Sequence, residues 1–236
     1  MHITVIHGSE RRGSTYHIAG LFIRNLVSQG DTVTEFFLPG DMSSFCVGCC
    51  CCFAKGETFC PHYEQVEPIR LAMEKADLMV FTTPVYVLRT SGQMKALLDH
   101  FAFLFMTHRP NPKMFSKAAV IFSTGAGGGM RAAMKDIATS LRFWGVGKIY
   151  KWGAAVYASE WNGIKEKKKE KIVRQIDVFA DTVRRKIGRV RPALSTKLLF
   201  YMFRIFHKKM KVCEKDVRYW EGQGWLRKAR PWKPSK

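Results

Sequence analysis

The sequence predicts a doubly wound α/β domain: five parallel strands in the order 2-1-3-4-5, helices on both faces, and a basic helical extension at the C-terminal end. Three observations carry this expectation. Strand-like and helix-like stretches alternate with short gaps, the pattern of stacked βαβ units. Two strand-like stretches, Leu78-Met79-Val80-Phe81 and Ala118–Phe122, are unbroken apolar runs, as central strands covered on both faces must be. The chain has 236 residues and is 47% hydrophobic, enough for one buried core. That length fits one such domain with an extension, or two small domains. The division expected is 1–188 for the sheet domain and 189–236 for the extension.

Strands are expected near 2–7, 32–37, 77–83, 117–123 and 148–156, where β-branched and aromatic residues concentrate. Helices fill the gaps near 14–28, 64–75, 91–105 and 130–143, and a fifth runs near 163–187. The first of these carries Ile18, Leu21, Phe22 and Leu26 at helical spacing. Lys165–Lys171 forms the solvated face of the fifth, with Glu166 and Glu170 relieving the crowded lysines.

Ligands bind such sheets at the carboxyl ends of the strands, near the point where strand order reverses. Three loops belong at that edge: HGSERRGST (7–15), TTPVYVLRTSG (82–92) and STGAGGGM (123–130). The first joins a strand end to a helix start, gathering unpaired amides and the positive end of the helix dipole. Ser9, Ser14 and Thr15 add hydroxyls, and Arg11 or Arg12 adds charge. This is a phosphate cradle, or else a turn whose serines cap the helix. It is neither a Walker loop nor a G-x-G-x-x-G motif. The glycines from Gly125 let backbone approach a flat ligand closely. Together the loops describe a site for a phosphorylated ring system.

Six of the seven cysteines lie between Cys46 and Cys60, too crowded to staple distant parts of a fold. A reduced, cytoplasmic compartment is expected. Cys46, Cys49, Cys52 and Cys60 form C-x2-C-x2-C-x7-C. That spacing suits an iron–sulfur cluster. Zinc and bare redox thiols are the alternatives, although zinc sites usually come as two separated pairs. Cys213, alone in the tail, reads as an ordinary cysteine.

These motifs have a family likeness. GSERRGST, CVGCCCCFAKGETFC, ADLMVFTTPVY and QMKALLDHF follow one another as in the flavodoxin-like NAD(P)H-dependent FMN reductases, and the chain resembles especially their iron–sulfur flavoprotein branch, over about positions 1–156. The resemblance implies a flavodoxin-like fold, FMN as cofactor, NAD(P)H as co-substrate and a 4Fe-4S cluster on Cys46, Cys49, Cys52 and Cys60. It places the FMN phosphate on Ser9, Arg11, Ser14 and Thr15. Pro84, Val85, Tyr86 and Val87 would line the isoalloxazine, and Thr124, Gly125, Gly127 and Gly128 would close its other side. Arg89 would attract the nicotinamide phosphates. The flavin carries the chemistry, so no acid–base triad is needed and none is visible. Two positions depart from the family pattern: Glu10 stands for a proline and Ser14 for an asparagine. The expected activity is reduction of a small-molecule electron acceptor such as a quinone, a nitroaromatic or free flavin, by a homodimer. One-electron transfer through the cluster and a flavin-based redox sensor are the alternatives.

The formal charge of +20 is skewed, with 23 Lys/Arg against 8 Asp/Glu in residues 160–236. Pro192 begins a helix in which Leu194, Leu198, Tyr201, Met202, Ile205 and Met210 recur at helical spacing, with Lys197, Arg204, Lys208 and Lys211 on the other side. This stripe is expected to dock on the domain or a second subunit, with peripheral membrane contact as the other use. Tyr219, Trp220, Trp225 and Trp232 read as an anchor folded back on the body. No nucleic-acid motif is present, no run of 18 apolar residues occurs, and no leader is read at the N-terminus.

Overall fold

A computed structural model describes residues 1–158, 160–210 and 212–233. β1 (His2–His7), β2 (Thr32–Phe37), β3 (Leu78–Pro84), β4 (Ala118–Gly125) and β5 (Lys148–Ala155) form one parallel sheet in the order β2-β1-β3-β4-β5. The expected flavodoxin-like topology is therefore present. Val5 sits opposite Glu35 on one side and Val80 on the other, which fixes β1 between its neighbours.

Alternation along the strands sorts the core into two layers. Ile3, Val5, Leu78, Val80, Val120 and Phe122 pack against α1 (Ser14–Leu26) and α6 (Glu166–Arg184). On the opposite face Ile6, Met79, Phe81 and Ile121 pack against α3 (Tyr63–Lys75), α4 (Gly92–His100) and α5 (Met130–Phe143). A short α2 (Cys51–Ala54) lies within the cysteine block.

The helix expected to reach residue 105 stops at His100 and gives way to a single 3-10 turn, Ala102–Leu104. Phe101 and Phe103 would lie on opposite sides of a continuous helix. Both are buried, and the break lets both pack into the same core cluster.

In the extension, α7 (Leu194–Lys209) and α8 (Glu214–Gly222) close over a separate aromatic cluster of Met106, Phe115, Phe200, Trp220 and Trp225. Phe200 stacks on Trp220 with centroids 4.9 Å apart. The Trp220 indole donates to the His108 carbonyl at 2.8 Å, and the Tyr219 hydroxyl to that of Pro110 at 2.7 Å. The tryptophan anchor is therefore seated on the body. The aliphatic stripe of α7 behaves differently from expectation. Thr196, Phe200 and His207 face inward, while Leu194, Leu198, Met202 and Ile205 face outward. Burial of the large Phe200 ring among tryptophans sets this rotation of the helix. No described helix is long and apolar enough to cross a membrane.

Asp216 pins α8 down. It is 1% exposed and holds Arg109 in an ion pair, with the His108 Nδ1 2.7 Å from its other oxygen. Burial pushes its carboxyl up, but His108 and Arg109 outweigh that and hold it below the usual range. Asp216→Asn leaves Arg109 buried without its countercharge and is expected to cost about 3 kcal/mol. The sign follows from the depressed pKa: the stabilisation is full at neutral pH and disappears as pH falls below about 4, through the folded-state value. Thermal melts of both proteins between neutral and acid pH should converge at the acid end; parallel curves would show that Asp216 is not the titrating clamp.

Candidate cofactor site

β1 ends at His7, and Gly8 carries the chain away from the sheet. A Cβ on Gly8 would lie 2.8 Å from the Thr82 carbonyl and 2.7 Å from Ser91 Oγ, so only glycine lets the strand end pass this close to β3 and α4. The Arg11 N–H donates to Ser9 Oγ at 3.2 Å and the Gly13 N–H to the Arg11 carbonyl at 2.8 Å, which curls the loop back on itself. α1 then starts after Gly13 with no side-chain cap. Its first helical bond runs from the His17 N–H to the Gly13 carbonyl at 3.1 Å, so the amides of Ser14, Thr15 and Tyr16 have no intrahelical partner. Ser14 Oγ is buried and has no hydrogen-bond partner among the described residues. The serines therefore do not serve as caps.

The second loop is braced at both ends. Thr83 Oγ1 lies 3.0 Å from Thr90 Oγ1 and accepts the Ser91 N–H at 3.0 Å. Between them the chain makes a tight turn in which Tyr86 and Arg89 exchange both backbone hydrogen bonds, at 3.0 and 2.9 Å. The central residues, Val87 and Leu88, carry φ values of 47° and 60°. Positive φ at a β-branched valine costs on the order of 1–3 kcal/mol, a strain that clusters at ligand-binding loops. The third loop must pass the second closely: a Cβ on Gly129, whose φ is +87°, would sit 2.6 Å from Val85 Cγ1. Thr15 Oγ1 and Thr124 Oγ1, 2.5 Å apart, tie the first loop to the third.

The three loops border an open cleft of about 200 Å³. Ser9, Arg11, Ser14, Thr15, Pro84, Val85, Tyr86, Thr124 and Gly125 line it. Val87, Gly127 and Gly128 do not; Val87 is 96% exposed at the tip of its turn. Arg89 lies outside as well, 3.5 Å from Asp136. Glu10 also points away, and a Cβ on Gly40 would meet its carboxylate at 2.5 Å. The departure from proline at this position thus puts no carboxylate in the cleft. Sequence reasoning missed His7, Gly13, Tyr16, Thr82, Ala126, Val156 and Ala158, which complete the lining. His7 is buried, with Nε2 3.0 Å from Glu35 and Nδ1 3.2 Å from Thr82 Oγ1. Burial lowers its pKa more than Glu35 raises it, so the ring is neutral at pH 7. Val156 and Ala158 follow the end of β5, and the strand-end rule that found the other loops also applies there.

The cysteine block forms a second, small cavity of about 60 Å³, and Cys46, Cys49, Cys52 and Cys60 all line it. Burial pushes the Cys52 thiol up to about 11, with Cys60, Cys46 and Cys49 adding to the rise. Cys52 therefore lies within electrostatic reach of the other three sulfurs. His62 and His100, which the sequence reading did not include, join them: their ring nitrogens and Cys60 Sγ all lie within 4.8 Å of one another. His100 Nε2 donates to the Ser44 carbonyl at 3.2 Å, which leaves Nδ1 facing Cys60 Sγ at 3.9 Å. Arg109 joins this block to the extension, donating to the Cys52 carbonyl while pairing with Asp216.

The model of the NADPH-dependent FMN reductase family matches residues 1–155. The chain belongs to that family. Among curated proteins, this FMN reductase family member is 28% identical to an iron-sulfur flavoprotein of Archaeoglobus fulgidus, over 52% of this chain and 54% of that protein. It is 27% identical to one of Methanocaldococcus jannaschii, over 58% of this chain and 69% of the relative. The chain thus spans about half the length of the first of these relatives. Among solved structures, a flavone reductase superposes with a TM-score of 0.58 at 15% identity, covering 82% of this chain and 66% of its own. An azoreductase from Bacillus anthracis gives 0.57 at 16%, covering 79% and 99%. These likenesses show the flavodoxin-like fold.

Ser14→Ala separates cradle from scaffold. Removing a buried hydroxyl that has no partner leaves the ligand-free protein as stable or about 1 kcal/mol more stable. The same change removes a donor to a charged phosphate and is expected to weaken FMN binding by about tenfold or more. Arg11→Ala should weaken it strongly too. Fluorescence titration with FMN checks both; unchanged affinity in both variants would remove the phosphate from this loop.

Proposed function

We propose that this chain is an FMN-dependent NAD(P)H oxidoreductase that reduces a small acceptor of the quinone, nitroaromatic or flavin class. The observation that carries this is the buried Ser14 Oγ, without a partner among the described residues, beside three amides that have no intrahelical partner, in the cleft at the β1 and β3 ends. A phosphate satisfies all four donors at once. Bound FMN supplies hydride chemistry at its ring; the protein's part is to hold and orient it. The phosphate loop fixes one end, Pro84 and Val85 offer an apolar wall, and Tyr86 borders the mouth. Neutral His7 adds no charge to the cleft lining. NAD(P)H is oxidised to NAD(P)⁺, and the acceptor takes up two electrons and a proton. The family's description as NADPH-dependent FMN reductase supports this reading.

A second reading has its own support in the cavity lined by Cys46, Cys49, Cys52 and Cys60. The C-x2-C-x2-C-x7-C spacing of these four suits a 4Fe-4S cluster, and the curated relatives are iron-sulfur flavoproteins. The chain would then pass single electrons.

Anaerobic mixing of FMN-loaded protein with NADH or NADPH distinguishes the two. The reductase reading expects the flavin absorbance to bleach within seconds and to return on adding a quinone. Protein that stays yellow with both nucleotides, yet bleaches with a chemical reductant and carries about four irons per chain, would favour the electron-transfer reading.

A further inference from the structure

α7 is apolar on both of its faces. Its inner face is spent on Phe200, Thr196 and His207, packed under α8. Its outer face presents Leu194, 71% exposed, and Leu198, 61% exposed, followed by Tyr201, Met202 and Ile205, all exposed as well. These five fall within one side of the helix over its first three turns, at i, i+4, i+7, i+8 and i+11. Lys208 and Lys209 are exposed in the last turn, and Lys197 lies on the flank. A scattered exposed leucine is ordinary, but a continuous apolar stripe edged by lysines marks a contact surface.

Charge and size decide what covers it. A second copy of this chain would bring together two molecules of formal charge +20, each with most of its excess at this end. Its footprint is also too small: 16 residues make a helix about 24 Å long, and a stripe about 10 Å wide gives roughly 240 Å². A stable protein–protein contact buries about 800 Å² per partner. A lipid surface needs no such shape match. It accepts a helix lying in its plane, with the apolar side sunk among acyl chains and lysines among headgroups. We propose that the outer face of α7 is a membrane-surface anchor for bilayers rich in anionic lipid, with Leu194, Leu198, Met202 and Ile205 inserted and Lys197, Lys208 and Lys209 at the headgroups. The helix is already formed and fastened to the body by Phe200 and Trp220, so binding orders nothing new. Anionic headgroups add attraction for each basic residue near the surface.

Co-sedimentation of the full-length protein with unilamellar vesicles tests this, using phosphatidylcholine alone and phosphatidylcholine mixed with phosphatidylglycerol. The expected result is pelleting with the anionic vesicles, weakened by salt and at least about tenfold lower with the neutral ones. Leu198→Glu combined with Ile205→Glu should lower the partition coefficient by at least about tenfold. Both side chains are exposed, so FMN affinity and the thermal melt stay as in the parent chain and report an intact fold. Lys208→Gln with Lys209→Gln should weaken binding to anionic vesicles alone. Three results would overturn the proposal: no pelleting with anionic vesicles, pelleting that the glutamates do not change, or a dimer on size exclusion that the glutamates dissolve. The FMN titration is independent of all three, so failure here leaves the flavin reading untouched.

Discussion

Two crossovers on opposite faces of the sheet, from β1 to β2 and from β2 back to β3, create the crevice on which the rest of the molecule depends. The chain passes from β1 through α1 to β2 on one face, then returns through α3 on the other face to pair β3 with β1's free side. Right-handed crossovers require this arrangement. The loops after β1 and β3 must then diverge at adjacent strand ends, and the gap between them cannot be closed by the sheet itself. Gly8 marks how tight the divergence is, and the uncapped start of α1 marks what it leaves open. The cleft is therefore a consequence of topology, and its chemistry follows from the residues that the first turn of α1 happens to carry.

The second organising contact is the Asp216–Arg109 pair. Arg109 reaches the Cys52 carbonyl while Asp216 holds it, and Lys215 reaches the Lys55 carbonyl alongside. The extension is thus bolted to the cysteine block as well as to the aromatic cluster under α7. A basic tail that could read as a loose appendage instead supports the loop that carries the thiols. The same bolting turns the outer face of α7 away from the body.

The strands and the strand order were legible because each is a β-branched or apolar run bounded by glycine, proline or polar residues, the signal that a parallel sheet needs most. The three strand-end loops followed from the strand order alone. Side-chain direction was less legible. Val87 reads like its neighbours in TTPVYVLRTSG, but the turn at Val87 and Leu88 throws it outward, and nothing in the sequence announces positive φ at a valine. His7 was hidden because a histidine closing a strand looks like any other edge residue; its pairing with Glu35 across β2 exists only in register. His100 lies forty residues beyond Cys60 and meets it only through the fold. In α7 the periodic aliphatic residues looked like the docking stripe, but aromatic area under α8 outcompeted them, and the helix turned its phenylalanine side inward.

The central claim is that the loop between β1 and α1 holds a phosphate. Side-by-side titration of the same protein with FMN and with riboflavin, which lacks only that phosphate, tests it most directly. Two or more charge-assisted hydrogen bonds to the phosphate predict FMN binding at least about a hundredfold tighter than riboflavin. Equal affinity for the two flavins, or no binding of either, would contradict it.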